Sequence, residues 1–296
     1  MSEATLELPF ILEAGELEPQ KPLRIRGEVR VKPLGQEKQP VLLICHGFKG
    51  FKDWGFFPYA AERFAAEGYY TVTFNFSCNG VGERDFDELD KFAVNTYSRE
   101  QEDLGLVLQA LREGSLPEAA QADLSQVYLL GHSKGGGTSL IFAADHPEEI
   151  AGVITWNGIA RTDLFGDDFK KEIGEHGVAY VANVRTKQEM PIRAVFYEDL
   201  RANEERFDVA VRLAGLTRPV LQVQGDQDSA RLREGFQRLR EAAPQHQALT
   251  VEGGNHTFGA VHPFAGTTPY LETALRVSLQ FLEGLRRGRR QEQAAE

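Results

Sequence analysis

A serine stands in a Gly-x-Ser-x-Gly pattern at Gly131-His132-Ser133-Lys134-Gly135. The pattern follows the apolar run 127–130 directly and precedes a segment whose apolar residues have helical spacing. A sharp strand-to-helix turn of this kind exposes the serine hydroxyl, and the flanking glycines allow the strained backbone. The N–H of Lys134 then faces an oxygen that becomes negative when a carbonyl is attacked. The pattern therefore predicts Ser133 as the nucleophile of an acyl transfer.

Glycine-rich turns between a strand and a helix also bind phosphate groups, so that alternative has to be weighed. A P-loop has Gly-Lys-Ser or Gly-Lys-Thr after four spacer residues, whereas this turn has the order Ser-Lys-Gly. A dinucleotide-binding Gly-x-Gly-x-x-Gly also fails, because Gly135 and Gly137 are followed by Leu140 where the third glycine belongs. The turn is therefore better suited to a nucleophile than to a phosphate group.

A serine nucleophile needs a general base, and in this kind of sheet an acid and then a histidine follow the serine in the chain. His256 lies in the glycine-flanked segment 253–259, just past a short strand, where a base could reach the carboxyl edge of the sheet. His262 precedes a proline and is expected to pack or to cap. His176 and His246 lie in polar segments and are expected to be exposed. We therefore predict His256 as the base.

The acid that orients the base should follow the preceding strand. The segment Gly225-Asp226-Gln227-Asp228 offers two candidates at that place. Asp228, three residues past the glycine, has the commoner spacing for reaching back to the imidazole, whereas an aspartate at the position of Asp226 more often braces the turn. We predict Asp228 as the acid and keep Asp226 as the alternative.

The loop His46-Gly47-Phe48 follows another apolar run, 41–45, and supplies the remaining chemical group. It should place the N–H of Phe48 beside that of Lys134, so that two main-chain donors form an oxyanion hole. Loss of one such donor typically costs about 10²–10³ in rate. His46 itself is expected to be structural.

The elements that must position these residues follow a regular alternation. A last helix is predicted after Thr268 as N-cap and Pro269 as its first residue. Buried strands alternating with helices predict a mostly parallel sheet with helices on both faces. The predicted strands are 23–32, 41–45, 69–76, 127–130, 150–156, 219–224 and 248–251.

The alternation breaks between about residues 157 and 216, where the sequence is charged and irregular. An excursion of this length is too long for a passive loop and is typical of a lid or cap. We predict a core of residues 1–157 and 217–296 and a cap of residues 158–216. Substrate contacts are predicted for Trp156 at the root of the cap and for His132, with Leu164, Phe165 and Phe169 shaping an acyl pocket.

Composition excludes several classes of function. The formal net charge of −11 and the absence of a basic cluster in the body of the chain argue against nucleic-acid binding. The basic run 286–290 is expected to be a solvated C-terminal tail, and Cys45 and Cys78 to be free buried thiols. Neither a signal peptide in the first ten residues nor a membrane-spanning apolar run is visible, so we expect a cytoplasmic protein.

Together these residues resemble the α/β-hydrolase superfamily, and more narrowly its bacterial esterase and serine-aminopeptidase-like group, which includes cinnamoyl and feruloyl esterases. The resemblance rests on HGFKG at 46–50, FNF at 74–76, GHSKGG at 131–136, DQD at 226–228 and NHTFG at 255–259. It implies an eight-stranded sheet, a small cap after the sixth strand, and no metal or other cofactor. It also implies Ser133, Asp228 and His256 as nucleophile, acid and base, with Phe48 and Lys134 as oxyanion donors.

Two segments depart from the pattern of that group. A D-x-R-G-x-G type segment usually follows the fourth strand, whereas this chain has Asn75-Phe76-Ser77-Cys78-Asn79-Gly80-Val81-Gly82. The glycines of the turn are kept but its charged pair is gone, so the local bracing must differ. The acid loop usually continues with Val-Pro, and here it continues with Ser229-Ala230-Arg231.

The predicted function is hydrolysis of small carboxylic esters through an acyl-enzyme intermediate by a monomer or homodimer. One alternative is a short-peptide aminopeptidase or amidase, which would need a carboxylate pair to hold the substrate amino group. The carboxylates available for that in the cap are Asp163, Asp167, Asp168, Glu198 and Asp199. A further alternative is a non-catalytic binding protein on the same fold, since one fold hosts many functions.

Overall fold

A mostly parallel sheet of eight strands forms the centre of the computed structural model, which describes residues 4–33 and 37–295. The strands lie in the spatial order β1-β2-β4-β3-β5-β6-β9-β10, and only the β1–β2 and β2–β4 pairs are antiparallel. The sheet strands are β1 (Leu6–Glu18), β2 (Lys21–Val31), β3 (Gln39–Cys45), β4 (Tyr70–Asn75), β5 (Ala122–His132), β6 (Gly152–Trp156), β9 (Val220–Gly225) and β10 (Gln247–Val251).

Helices cover both faces of this sheet, which is why its central strands are continuous apolar runs rather than alternating ones. Helices α1 (Phe57–Ala66) and α9 (Pro269–Ala295) pack on one face with a cluster that includes Trp156 and Phe258. On the other face lie α3 (Tyr97–Arg112), α4 (Lys134–Asp145) and α8 (Ala230–Ala242). The short helix α2 (Leu89–Phe92) precedes α3.

The segment predicted as a cap, residues 158–216, follows the sixth strand and is more regular than the sequence indicates; the name cap is kept for it below. It contains the helices α5 (Asp167–His176), α6 (Val195–Ala202) and α7 (Val209–Gly215). Between them, β7 (Val178–Asn183) and β8 (Gln188–Arg193) form an antiparallel hairpin that the sequence analysis misses. These strands are short and half exposed, so their apolar alternation is weak, although Ala179, Met190 and Ile192 are buried.

Two further differences concern the ends of the chain. Strand β1 is missing from the predicted set, because Pro9, Gly15 and the register shifts between Glu13 and Glu18 interrupt its pattern. The C-terminal basic run is not a free tail, since α9 continues through it to Ala295. Residues 1–3, part of the segment inspected for a signal peptide, lie outside the described residues, as does the side chain of Arg290. Within the described ranges, no helix combines the length and apolarity needed to cross a bilayer.

Candidate active site

Ser133 lies at a sharp turn between β5 and α4. Its backbone is left-handed, with φ of 55° and ψ of −119°, which is strained for a residue other than glycine. The glycines of the motif make room for this turn: a Cβ at Gly131 would collide with the Gly135 carbonyl, and a Cβ at Gly135 with the Cys45 carbonyl. Hydrogen bonds from Ser133 N to the Trp156 carbonyl (2.9 Å) and from Ile159 N to the Ser133 carbonyl (3.1 Å) fix the turn to the end of β6. The hydroxyl is thereby held at the carboxyl edge of the sheet.

The predicted base lies beside the predicted nucleophile. His256 follows β10, and its Nε2 is 3.1 Å from Ser133 Oγ. Its Nδ1 is 2.9 Å from Asp228 Oδ2. A carboxylate can only accept, so Nδ1 carries the proton and Nε2 is left to accept the serine hydroxyl proton. The structure therefore brings Ser133, His256 and Asp228 into one hydrogen-bonded chain.

The two candidate acids occupy different places. Asp228 is buried and accepts hydrogen bonds from Gln224 Nε2 (3.1 Å) and Ser229 N (2.6 Å) as well as from His256. Asp226 instead accepts from Gly253 N at 2.7 Å and so joins the two loops that follow β9 and β10. Burial raises the pKa of Asp228, but the hydrogen bonds and the imidazole lower it more, and the net result is a pKa below its ordinary value. Asp228 is therefore ionised when it faces the imidazole.

Two side chains hydrogen-bond to the main chain of His256. Its carbonyl accepts hydrogen bonds from Asn157 Nδ2 (2.9 Å) and His132 Nε2 (2.8 Å). His132 is buried against Phe56, and burial together with the nearby His256 lowers its pKa to about 3. His132 is therefore a neutral donor that positions the base, and it is not among the residues that line the cavity above Ser133, where a substrate contact was predicted.

Trp156, the other predicted substrate contact, does not line the cavity above Ser133. Its side chain is fully buried on the face of the sheet covered by α1 and α9, and its indole N–H donates to Ser278 Oγ at 3.0 Å. Side chains of consecutive strand residues point to opposite faces, so a residue at the root of the cap can face away from the cap. Trp156 supports the core beneath the serine turn and does not reach the substrate side.

The two predicted oxyanion donors lie at the same cavity as the serine hydroxyl. Phe48 follows β3, and Lys134 is the first residue of α4, where N–H groups have no partner within the helix. His46 stabilises the Phe48 loop, since its Nδ1 donates to the Gly47 carbonyl (3.0 Å) and its Nε2 accepts from Phe76 N (3.3 Å). Burial lowers the pKa of His46 to about 4, in keeping with a structural, neutral role.

The Lys134 side chain, whose role the sequence leaves unexplained, is buried. Its ammonium pairs with Glu100 on α3 and lies 4.2 Å from the centre of the Tyr97 ring. Glu100 also accepts from Thr138 Oγ1 (2.8 Å) and Asn95 Nδ2 (2.9 Å). The pair therefore fixes the N-terminus of α4, and with it the serine turn, against α3.

A buried aspartate braces the segment that lacks the usual charged pair. Asp103 on α3 accepts from both the main-chain N (2.7 Å) and the hydroxyl (2.9 Å) of Ser77, and Arg99 pairs with it at 3.2 Å. Burial raises the pKa of Asp103 to about 6 in spite of these partners. The bracing group therefore comes from a helix, 26 residues after Ser77 in the chain. No local sequence pattern could have indicated it.

A cavity of about 700 Å³ opens above Ser133 and is closed on its far side by the cap. Its wall near the serine is apolar and aromatic, and the Phe48 ring meets the Phe165 ring edge to face at 5.6 Å. The predicted cap residues Leu164 and Phe165 line it, and Phe169 stacks on Phe165 at 4.2 Å. The dimensions and lining are typical of a small-molecule site.

The cap carboxylates that an aminopeptidase would need lie elsewhere. Asp199 accepts from Ser98 N (3.1 Å) at the start of α3, and Asp163 pairs with Lys170. None of the five cap carboxylates lines the cavity above Ser133, where Glu234 is the one acidic side chain within the described chain. The residues described include no group of three or more His, Cys, Asp or Glu side chains arranged to hold a metal ion.

The remaining histidines agree with expectation except for one. His262 Nδ1 accepts from Gly55 N at 2.9 Å and its ring stacks on Trp54, and His176 is exposed. His246 is half-buried rather than exposed, because its Nε2 hydrogen bonds to the Leu213 carbonyl at 3.1 Å. Cys45 and Cys78 are buried free thiols.

Comparisons with known proteins agree with this architecture. Residues 36–169 match the sequence model of a hydrolase family described as serine aminopeptidase, S33, a range that includes Ser133 but neither Asp228 nor His256. No curated protein sequence gives a significant match.

Solved structures similar to the chain include hydrolases with different substrates. Est1E from Butyrivibrio proteoclasticus, solved with ferulic acid, shares 19% identity over 88% of this chain and 95% of its own, with a TM-score of 0.66. One of the metagenome-derived lipolytic enzymes LipS and LipT shares 18% over 85% and 98%, with a TM-score of 0.62. An acylaminoacyl peptidase from Pyrococcus horikoshii shares 16% over 95% of this chain and 42% of its own, with a TM-score of 0.61.

These identities are low enough that the structural likeness establishes the fold alone, while the hydrolase family model supports hydrolase activity. The chain has the α/β-hydrolase fold and, within that fold, resembles the serine-aminopeptidase-like hydrolases.

Proposed function

We propose that the protein is a serine hydrolase that cleaves small carboxylic esters. The observation that carries the proposal is the continuous hydrogen-bonded chain from Ser133 through His256 to Asp228, beside a cavity whose wall near the serine is apolar and aromatic. A hydroxyl, a neutral imidazole and a buried carboxylate in that order form the arrangement that activates serine toward a carbonyl.

The proposed reaction proceeds in two acyl-transfer steps. His256 removes the Ser133 proton as the hydroxyl attacks, and the main-chain N–H groups of Phe48 and Lys134 hold the oxyanion. The alcohol leaves with the proton from His256, and water then enters, loses its proton to the same imidazole and releases the carboxylic acid. Asp228 keeps the imidazole in the productive tautomer and stabilises its protonated form.

Among the described residues no acidic pair lines the cavity beside the serine, which favours esters over peptides. An aminopeptidase must bind the substrate ammonium, and a single exposed carboxylate, Glu234, is available for that among the described residues of the cavity wall. The apolar wall formed by Phe48, Leu164 and Phe165 suits an acyl chain or aromatic ring instead.

The test is hydrolysis of p-nitrophenyl esters from acetate to decanoate by the wild type and by Ser133→Ala. We expect the variant to lose about 10⁴–10⁶ of the rate, as nucleophile removal does elsewhere. Labelling with a fluorophosphonate provides a second readout, since one adduct should form on the wild type and none on the variant. Equal slow rates in both proteins, without labelling, would refute the serine mechanism.

A further inference from the structure

The cavity above Ser133 is basic in a protein that is acidic overall. The chain has a formal net charge of −11. A cavity whose wall has an excess of one sign of charge attracts ligands of the opposite sign, and here Glu234 is outnumbered by basic residues. Apart from Lys134, whose charge is balanced by Glu100, the basic residues that line it are Lys49, Arg161, Arg231 and Arg238.

Two of these cations are occupied by structural contacts. Lys49 Nζ donates to the Ala182 carbonyl in the cap at 3.0 Å. Arg231 donates to the Leu164 carbonyl at 2.7 Å and to that of Asp163. Both side chains therefore tie the cap to the core, and their charge reaches a ligand only through space.

The other two cations are free to bind. Neither Arg161 nor Arg238 has a hydrogen bond or an ion pair with any residue in 4–33 or 37–295, although both residues line the cavity. A guanidinium offers paired N–H donors that match a carboxylate, and unpaired guanidinium groups beside a cavity can make that contact without breaking another.

The two arginines lie at the boundary between two cavities. A second cavity of about 930 Å³ lies within the cap, and its wall shares Ala160, Arg161 and Arg238 with the wall of the first. Its charge is mixed, with Asp163, Glu198, Glu204 and Asp208 among its lining residues. The two arginines therefore lie where the cavity above Ser133 adjoins the second cavity.

We propose that the substrate is an ester whose acyl part ends in a carboxylate, with an apolar body against Phe48 and Phe165 and the carboxylate bound by Arg161 and Arg238. This inference rests on the proposed esterase function and names the substrate class of the same site.

A matched pair of probes tests the proposal: the mono-p-nitrophenyl ester of suberic acid and the same ester with its free carboxyl replaced by a primary amide. Binding of both to Ser133→Ala is measured by calorimetry at low salt, and hydrolysis of both by the wild type is measured in parallel. We expect the acid to bind about tenfold more tightly than the amide. In a Ser133→Ala background carrying R161Q and R238Q the ratio should fall to about one.

Arg233→Gln is the control, because Arg233 is an exposed arginine on the same helix α8 that lines a different cavity. It should keep the preference for the acid. Equal binding of acid and amide, or a preference that survives R161Q/R238Q, would overturn the proposal. Lack of hydrolysis of both probes would refute the esterase function instead, and the calorimetric ratio would still report on the arginine site.

Discussion

The core side and the cap side of the cavity are held by different kinds of contact. On the core side, Ser133 N donates a hydrogen bond to the Trp156 carbonyl, and Asn157 Nδ2 donates one to the His256 carbonyl. The groups in these hydrogen bonds are uncharged, and Asn157 and Trp156 are buried. On the cap side, the links are long cationic side chains, Lys49 and Arg231, that reach main-chain carbonyls. Buried short contacts fix geometry, whereas long exposed ones allow movement. We therefore expect the proposed chemistry to depend on the rigid side and substrate selection on the adaptable one.

The largest expected effect, on kcat, comes from replacing the predicted acid on the core side, Asp228. In Asp228→Asn an amide N–H would replace the acceptor facing His256 Nδ1, which favours the tautomer whose Nε2 already carries a proton. That imidazole cannot accept the serine proton, so kcat should fall about 10⁴-fold. The measurement is kcat on the best p-nitrophenyl ester at pH 8.

Asp226→Asn is the matched control, since its remaining oxygen can still accept from Gly253 N. We expect kcat within about threefold of the wild type, because this side chain braces two loops and does not face the imidazole. A larger loss from Asp226→Asn than from Asp228→Asn would reverse the assignment of the acid.

The second largest effect, on the free energy of unfolding, comes from removing the ion pair that holds the serine turn against α3. Lys134→Met would leave Glu100 as a buried charge without its cation, and breaking such a pair costs about 3–5 kcal/mol of stability. Adding Glu100→Gln removes the charge as well, and the Thr138 hydroxyl can rotate to suit the amide. The free energy of unfolding in urea should therefore recover in the double variant. A double variant no more stable than Lys134→Met would show that the ion pair is not what anchors α4.

The same contrast explains what the sequence could predict. Ser133, Asp228 and His256 lie in segments that follow strands, and parallel strands bring their carboxyl ends to one edge, so local patterns indicate that the three side chains lie at that edge. The Glu100–Lys134 pair and the Asp103 brace join residues more than 25 positions apart, and no local pattern records them. The sequence does not indicate the hairpin β7–β8 because half-exposed strands carry little periodicity, and it does not indicate which way Trp156 faces because the face of a strand residue depends on the register.

An effect of intermediate size concerns acid stability of the rigid side. His46 and His132 are buried as neutral rings, with pKa values of about 4 and about 3. In the unfolded chain the pKa of each histidine is about 6.5. Below that pH the unfolded state binds more protons than the folded state, so the free energy of unfolding falls as the pH falls. Each histidine should cost about 2 kcal/mol at pH 5. His46→Gln should therefore reduce the loss of unfolding free energy between pH 7 and pH 5 by about that amount.

The comparison variant is His176→Gln, which removes an exposed histidine from the cap. It should leave the difference in unfolding free energy between the two pH values as it is in the wild type. If both substitutions change that difference equally, burial of His46 is not the source of the acid sensitivity.

The smallest expected effect comes from loosening the cap. Arg231→Gln would remove the donors that hold the carbonyls of Asp163 and Leu164, and with them the segment that brings Leu164 and Phe165 to the cavity. Exposed contacts of this kind are individually weak, so we expect KM for the octanoate ester to rise about two- to fivefold with little change in kcat. KM for the acetate ester should stay the same, because a short acyl group does not reach the cap. An equal rise for both esters would mean that the loosened segment affects the serine turn itself, and the division between a rigid core side and an adaptable cap side would fail.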